Sequence, residues 1–198
     1  MRSRISQHFL AVIGLTLLSA TIAAAQSQHE HAGTHAKPQQ ANAANAPYDL
    51  QFIDTLSKHH QDAIEMSRMA VRKARHRELK MLAQKMIRDQ QGDIAKMKSW
   101  RGRWYPGRPK AVNMEMPGMS SSMNMDMGRL RTATGNAFDI AFIDMMTAHH
   151  QSGIEMARDA LGKAEHAEIK SLAQKNLENQ QKESEQMNSW KSAWGSGH

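Results

Sequence analysis

The stretch FIDTLSKHHQDAIEMSRMA, Phe52–Ala70, recurs as FIDMMTAHHQSGIEMARDA at Phe142–Ala160, an offset of 90 residues. The match runs without a gap from Asp49–Trp104 to Asp139–Trp194, with 27 of 56 positions identical. HRELKMLAQKMIRDQQ in the first copy answers to HAEIKSLAQKNLENQQ in the second, and both copies close with M-x-S-W-x3-W. Such self-similarity marks a duplicated structural unit. In the first half of the unit Phe52, Leu56, His59, Ala63, Met66 and Ala70 share one helical face, with Ile53, His60 and Ile64 beside it. Leu79, Leu82, Ala83, Met86, Ile87, Gln90, Ile94 and Met97 repeat the pattern in the second half. Neither copy contains proline, and both are rich in good helix formers. Charges cluster at Arg72–Arg77, where the chain should turn. Each copy is therefore expected to be an antiparallel helical hairpin with one apolar face left open. Two such hairpins should close into an all-α, ferritin-like four-helix bundle.

The rest of the chain divides around the repeats. Arg2 and Arg4 precede FLAVIGLTLLSATIAAA, which ends in small residues before Gln26. A basic start, a short apolar run and an A-x-A end predict a signal peptide over residues 1–25. The alternative is an uncleaved anchor, which the small-residue ending and modest apolar length disfavour. Residues 26–47 read as a disordered segment carrying HEHAGTH, with His29, His31 and His35. Hairpins are expected over 48–105 and 138–195, joined by a methionine-rich linker over 106–137. A linker of that length can run the whole bundle, as the long crossover of ferritin-like folds does. Its segment NMEMPGMSSSMNMDMG, Asn113–Gly128, has no helical or strand period, so its methionines are expected to have nothing to bury.

Composition narrows the class. Without the leader, 24 basic residues face 19 acidic ones, a net charge of +5. Export and 5% aromatic content argue against a nucleic-acid partner. No later stretch reaches the ~20 apolar residues of a spanning helix. The first repeat holds 13 basic and 7 acidic residues and the second 6 and 9, opposite balances that could favour pairing of the hairpins or be scattered solvated charge. The chain has no cysteine, so a soft metal would have to be held by thioether and imidazole.

Two sets of residues point that way. His59-His60 and His149-His150 lie in mid-helix, with one ring of each pair facing the core, so closing the bundle should bring up to four imidazoles to one height. In the antiparallel hairpin His59 should face the level of Gln90 and Met66 the level of Ala83. Possible inner ligands are His59, His60, Met66 and Met97, with His149, His150, Met156 and Met187 as their mates. The plainer reading makes these histidines hydrogen-bonded core residues and these methionines core filler; against it, adjacent buried histidines are costly to leave unpaired. His76 and His166, near the turns, read as caps or surface residues. The second set is Met114, Met116, Met119, Met123, Met125 and Met127 in the linker. Thioether selects Cu(I), and by the same chemistry Ag(I), whereas imidazole also suits Cu(II). Oxidant scavenging by exposed methionine is the competing use. With ordinary histidine values, an imidazole site should fail below about pH 6.

The paired H-H-Q-x2-I-E-M, the A-Q-K and Q-Q core and the M-x-S-W-x3-W ending resemble the domain of unknown function 305 family, CopM-like periplasmic proteins with a ferritin-like bundle. The resemblance covers both repeats. It implies copper or silver binding in copper tolerance, at the histidines and at Met66, Met97, Met156 and Met187, with a copper-efflux or copper-chaperone protein as a possible partner. The alternatives are a structural or partner-binding bundle of the cell envelope and a ferritin-like metal oxidase. The oxidase reading lacks its motif: no histidine of either repeat follows a glutamate by three residues.

Overall fold

Four long helices carry the repeats, as their periodicity predicts. The computed structural model describes Ala43, residues 45–120 and residues 126–195. The signal peptide, the HEHAGTH tract, Met123 and Met125 lie outside the described residues. Helix α1 spans Tyr48–Lys73 and α2 spans Arg77–Trp104; after a short α3 at Met127–Thr132, α4 spans Gly135–Lys163 and α5 spans Ala167–Gly195. The first two form one antiparallel hairpin and the last two the other, and α1 packs directly against α4. The protein is an all-α bundle.

The two hairpins clasp each other at both ends. Asp49, in the first turn of α1, is buried against the turn of the opposite hairpin and accepts the backbone N–H groups of Glu165 and His166 at 3.0 and 2.8 Å. The Nδ1–H of His166 also donates to it, at 2.6 Å. Asp139, at the start of α4, does the same for Arg75 and His76, and the Nδ1–H of His76 donates to it at 2.7 Å. Each carboxylate thus caps the N-terminus of a helix in the other hairpin, where orphan N–H groups and the helix dipole favour a negative charge. The closing tryptophans cover the joints: Trp104 stacks on His166 at 3.7 Å and Trp194 on His76 at 3.8 Å. This explains why M-x-S-W-x3-W ends both copies.

The core falls into two apolar clusters, one toward each end of α1. Phe138, Phe142, Met66, Leu79 and Met187 belong to one, and Phe52, Leu56, Met97, Met156 and Ile169 to the other. The buried histidine pairs lie between them in sequence on both α1 and α4.

The crossover between hairpins corrects one expectation. It is bonded to α1 along its path: Asp54 accepts from the Ala111 N–H at 2.9 Å, and Thr55 Oγ1 from the Asn113 N–H at 2.9 Å. At the far end Lys73 donates to the carbonyls of Leu130 and Arg131. Met116 and Met119 are 3% and 0% exposed, so this part of the run does bury its thioethers. Met114 and Met127 pack at the edges of the two clusters. A missing period excludes a helix with its own apolar face. It does not exclude a strap laid on apolar surface that other helices supply.

Replacing Asp49 or Asp139 with alanine leaves two backbone N–H groups and an imidazole unpaired. Each change should cost ~3 kcal/mol, and because the clasps share no partners the two costs should add. Urea unfolding of both single variants and the double variant checks this; a single-variant loss under ~0.5 kcal/mol would remove the clasp from the account of the fold.

Candidate metal centre

Antiparallel packing of α1 against α4 brings the two histidine pairs together. The rings of His59 and His149 stack with centroids 3.7 Å apart, and His60 and His150 flank them at 6.3 and 6.5 Å from their chain neighbours. All four are at most 1% exposed. His59 also makes a contact across the hairpins. His59 Nε2 lies 2.9 Å from Ser152 Oγ and 3.2 Å from the His149 carbonyl. The Ser152 hydroxyl donates to that same carbonyl at 2.7 Å. Only an N–H can satisfy the carbonyl contact, so we assign the proton of His59 to Nε2, which leaves a lone pair on Nδ1.

Space for this contact comes from Gly153. A Cβ there would meet the side-chain amide of Gln180 and the ring of His59. In the first repeat the equivalent position is Ala63, so the two halves are not identical at their centre.

A carboxylate stands behind each outer histidine. His150 Nε2–H donates to Glu183 at 3.1 Å, and His60 Nε2 lies 3.9 Å from Asp93. Each carboxylate is in turn paired with a lysine of the other hairpin, Glu183 with Lys85 and Asp93 with Lys175, both at 3.0 Å. Asp93 and Glu183 occupy the same register of the repeat, a signal the sequence reading passed over; Ser152 and Gly153 differ between the copies and left none.

Six buried imidazole nitrogens have no partner among the described groups: Nδ1 of His59 and His150, and both nitrogens of His60 and His149. Leaving a buried polar group unpaired costs about 1–3 kcal/mol. A purely structural layer would have no reason to carry so many. A carboxylate on one nitrogen with a lone pair on the other is also the usual arrangement of a metal-ligating histidine, so the residues fit a metal ion. The fit has a limit: among the described residues no three His, Asp or Glu side chains are grouped to hold one ion. Any ion here would be held at low coordination or with sulfur as well.

The expected thioether partners are distributed across the layer. Met66 belongs to one apolar cluster with Met187, while Met97 belongs to the other with Met156. The structure therefore groups methionines of different hairpins, and separates Met66 from Met97. The hydroxyl of Ser57 donates to the Met97 sulfur at 3.8 Å. His76 and His166 belong to the end clasps, in keeping with their reading as caps.

Burial sets the protonation state. Burial above all, with the neighbouring histidines, pushes His59 down to about 3. Burial likewise lowers His60 to about 4, although Asp93 opposes it, and holds His149 well below 6.5. Burial would raise Glu183, but its bonds to His150 and Lys85 hold it below the ordinary carboxylate value. Folded, His59, His60 and His149 are thus pushed to lose their protons at lower pH than the ordinary histidine on which a limit near pH 6 was expected.

Comparison with known proteins places the chain in a family. It matches the family described as Domain of unknown function (DUF305) over residues 49–191, with a second match over 18–101, and belongs to that family. CopM in its Cu(II)-bound form is 40% identical, covers 74% of this chain and 97% of its own, and superposes with a TM-score of 0.64. CopM in its Cu(I)-bound form is 38% identical over 74% of this chain and 96% of its own, with a TM-score of 0.63. A DUF305 protein from Streptomyces coelicolor is 27% identical over 80% of this chain and 99% of its own, with a TM-score of 0.67. Comparison with curated proteins returned no match.

The acid behaviour of the metal-free protein tests the layer. An unfolded histidine titrates near 6.5, above the folded values of His59, His60 and His149. The stability these groups contribute is present above pH 6.5 and is lost as pH falls toward 4, because only the unfolded chain takes up the protons. The loss should approach ~2 kcal/mol per histidine by pH 5. Urea midpoints at pH 7.5, 6 and 5 measure it; a flat profile would mean the rings are solvated.

Proposed function

We propose that the protein is an exported, non-catalytic binding protein for copper or silver, serving sequestration or trafficking in copper tolerance. The observation that carries this reading is the set of partnerless imidazole nitrogens buried between α1 and α4. The metal is cargo. His59 and His149 on the central seam, flanked by His60 and His150, would supply nitrogen donors that suit Cu(II) as well as Cu(I). Glu183 orients His150, and Asp93 stands behind His60 at longer range. Keeping His59, His60 and His149 unprotonated, the bundle lowers proton competition at those rings. Methionine then extends the range of cargo toward Cu(I) and Ag(I), the ions for which thioether is selective.

Two further observations support the reading. The relative CopM has copper-bound and silver-bound forms. The basic, apolar and small-residue sequence at the N-terminus is that of an export signal, and among the described residues no helix is long and apolar enough to cross a membrane. Export places the protein in the periplasm or outside the cell, where a copper-efflux or copper-chaperone protein would be its exchange partner.

His60 and His149 offer a clean test, since neither ring makes a short, well-aligned hydrogen bond through its own nitrogens. The double variant H60L/H149L should fold, gain roughly 1–3 kcal/mol of stability by shedding unpaired polar groups, and lose most Cu(II) affinity. Calorimetric Cu(II) titration and urea unfolding read the two effects. Full Cu(II) affinity in a variant of unchanged or lower stability would overturn the reading.

A further inference from the structure

The first hairpin carries positive charge that its own fold does not use. Of the acidic residues of that repeat, Asp49 holds a clasp, Asp54 pairs with Arg101, Asp62 with Lys58, Asp89 with Lys85, and Asp93 with Lys96 and Lys175. Glu65 and Glu78 are the other two acids. Arg68, Arg72, Arg88 and Lys98 are exposed, as are Arg108 and Lys110 just beyond α2, and none of the six side chains makes an ion pair among the described residues. The second hairpin shows that the bundle does not require this charge. It has Gly162 in place of Arg72, Glu178 in place of Arg88 and Asn188 in place of Lys98, and it forms the same pair of helices.

The unpaired cations gather at two hollows along the α1–α2 joint. One, of about 310 Å³, lies among Arg68, Arg72 and Arg88, with Val71 and Ile87 as its apolar lining. The other, of about 670 Å³, lies among Lys98, Arg108 and Lys110, over Ile53 and Ile94. Gln61 and Arg68 on α1, like Ile87 and Ile94 on α2, are two helical turns apart, so both hollows open on one face. Arg88 and Lys98 are separated by ~15 Å along α2. Arg101 fixes the second hollow: its guanidinium donates to Asp54 at 2.8 Å and to the carbonyls of Arg108 and Pro109 at 3.0 Å. The start of the crossover, with Arg108 and Lys110, is thereby held against α2.

We infer that this face is a docking groove for an acidic, amphipathic segment of a partner protein. Carboxylates of the segment meet the two basic sets, and its apolar side chains lie on Val71, Ile87 and Ile94. Charge complementarity selects this occupant, and the spacing of the charges refines it. Glu65 stands between Gln61 and Arg68 on the same face, so a uniform polyanion would meet repulsion midway, whereas a segment with acidic ends and an apolar centre would not. A flat anionic bilayer would touch the rims and leave the recessed isoleucines uncovered. Charge kept for solubility alone would have no reason to collect in one copy around an apolar floor. A single exposed ion pair contributes little, so binding draws on several charges together with the apolar contact and weakens as salt screens the charges. The groove is separate from the histidine layer, and its occupation requires no metal.

The test uses the full mature chain and a fluorescein-labelled peptide, EELAAILAAEE, whose acidic ends match the spacing of the two basic sets when it is helical. Fluorescence anisotropy in low salt should show saturable binding that weakens on adding salt, and the glutamine version QQLAAILAAQQ should bind at least about tenfold more weakly. R72E/R88E and K98E/K110E should each keep the helicity of the parent and lose at least about tenfold in affinity for the acidic peptide. K170E/K182E changes the net charge equally on exposed positions of the second hairpin and should bind almost as the parent does. No saturable binding by the parent would overturn the proposal, as would equal binding of the glutamine peptide. Equal losses in K170E/K182E and R72E/R88E would refute it as well, because overall charge and not the groove would then attract the peptide. Vesicles containing phosphatidylglycerol that bind the parent in preference to the peptide, and lose binding in R72E/R88E, would make the face a membrane contact and overturn the protein partner.

Discussion

Two buried carboxylates fix the register on which everything else depends. Asp49 and Asp139 each bind the turn of the hairpin they do not belong to, so α1 and α4 cannot slide past one another. Because the bonds are reciprocal, the two helices are held at both ends and must cross in the middle. The middle of each is a histidine pair. A shift of one helical turn, ~5.4 Å, would separate His59 from His149 and place each against apolar side chains. The stacked rings are therefore a consequence of end contacts made ten or more residues away along each helix.

How far the sequence could be read follows from the range of each interaction. Hairpins were legible because a helical face is a local pattern, and the repeat displayed the pattern twice. The common height of the histidine pairs was legible because they occupy the same place in both copies. The bond from His59 to Ser152 and the His149 carbonyl was not: its register depends on Asp49 and Asp139, whose partners are 116 and 64 positions away in the chain. Burial of Met116 and Met119 was hidden for a related reason, since a strap borrows its apolar surroundings from helices it does not resemble. The acid-resistant neutrality of the rings was hidden too. It arises from desolvation, which requires knowing that no water-exposed face remains.

The histidine layer sits in the centre of a protein that could have filled the space with leucine. Apolar clusters on both sides enclose a band of nitrogen lone pairs, amide oxygens of Gln90 and Gln180, and two carboxylates paired with lysines. Such a band lowers stability relative to an apolar core. The end clasps and the two clusters supply what it removes. Stabilising contacts and the polar histidine layer thus occupy different zones of one bundle, and the same duplication places a copy of each zone in each half.

That duplication has a consequence for assembly. Two free copies of one hairpin would meet as an isologous pair, each aspartate clasping the other's turn, and such a pair falls apart on dilution. Here the crossover tethers the halves, so their meeting is governed by a fixed local concentration instead of by the total amount of protein. Tethering also frees each half from serving both sides of a symmetric joint. Gly153 can open room for the ring of His59 while Ala63 keeps its methyl group, a division of labour no symmetric pair of identical chains could maintain.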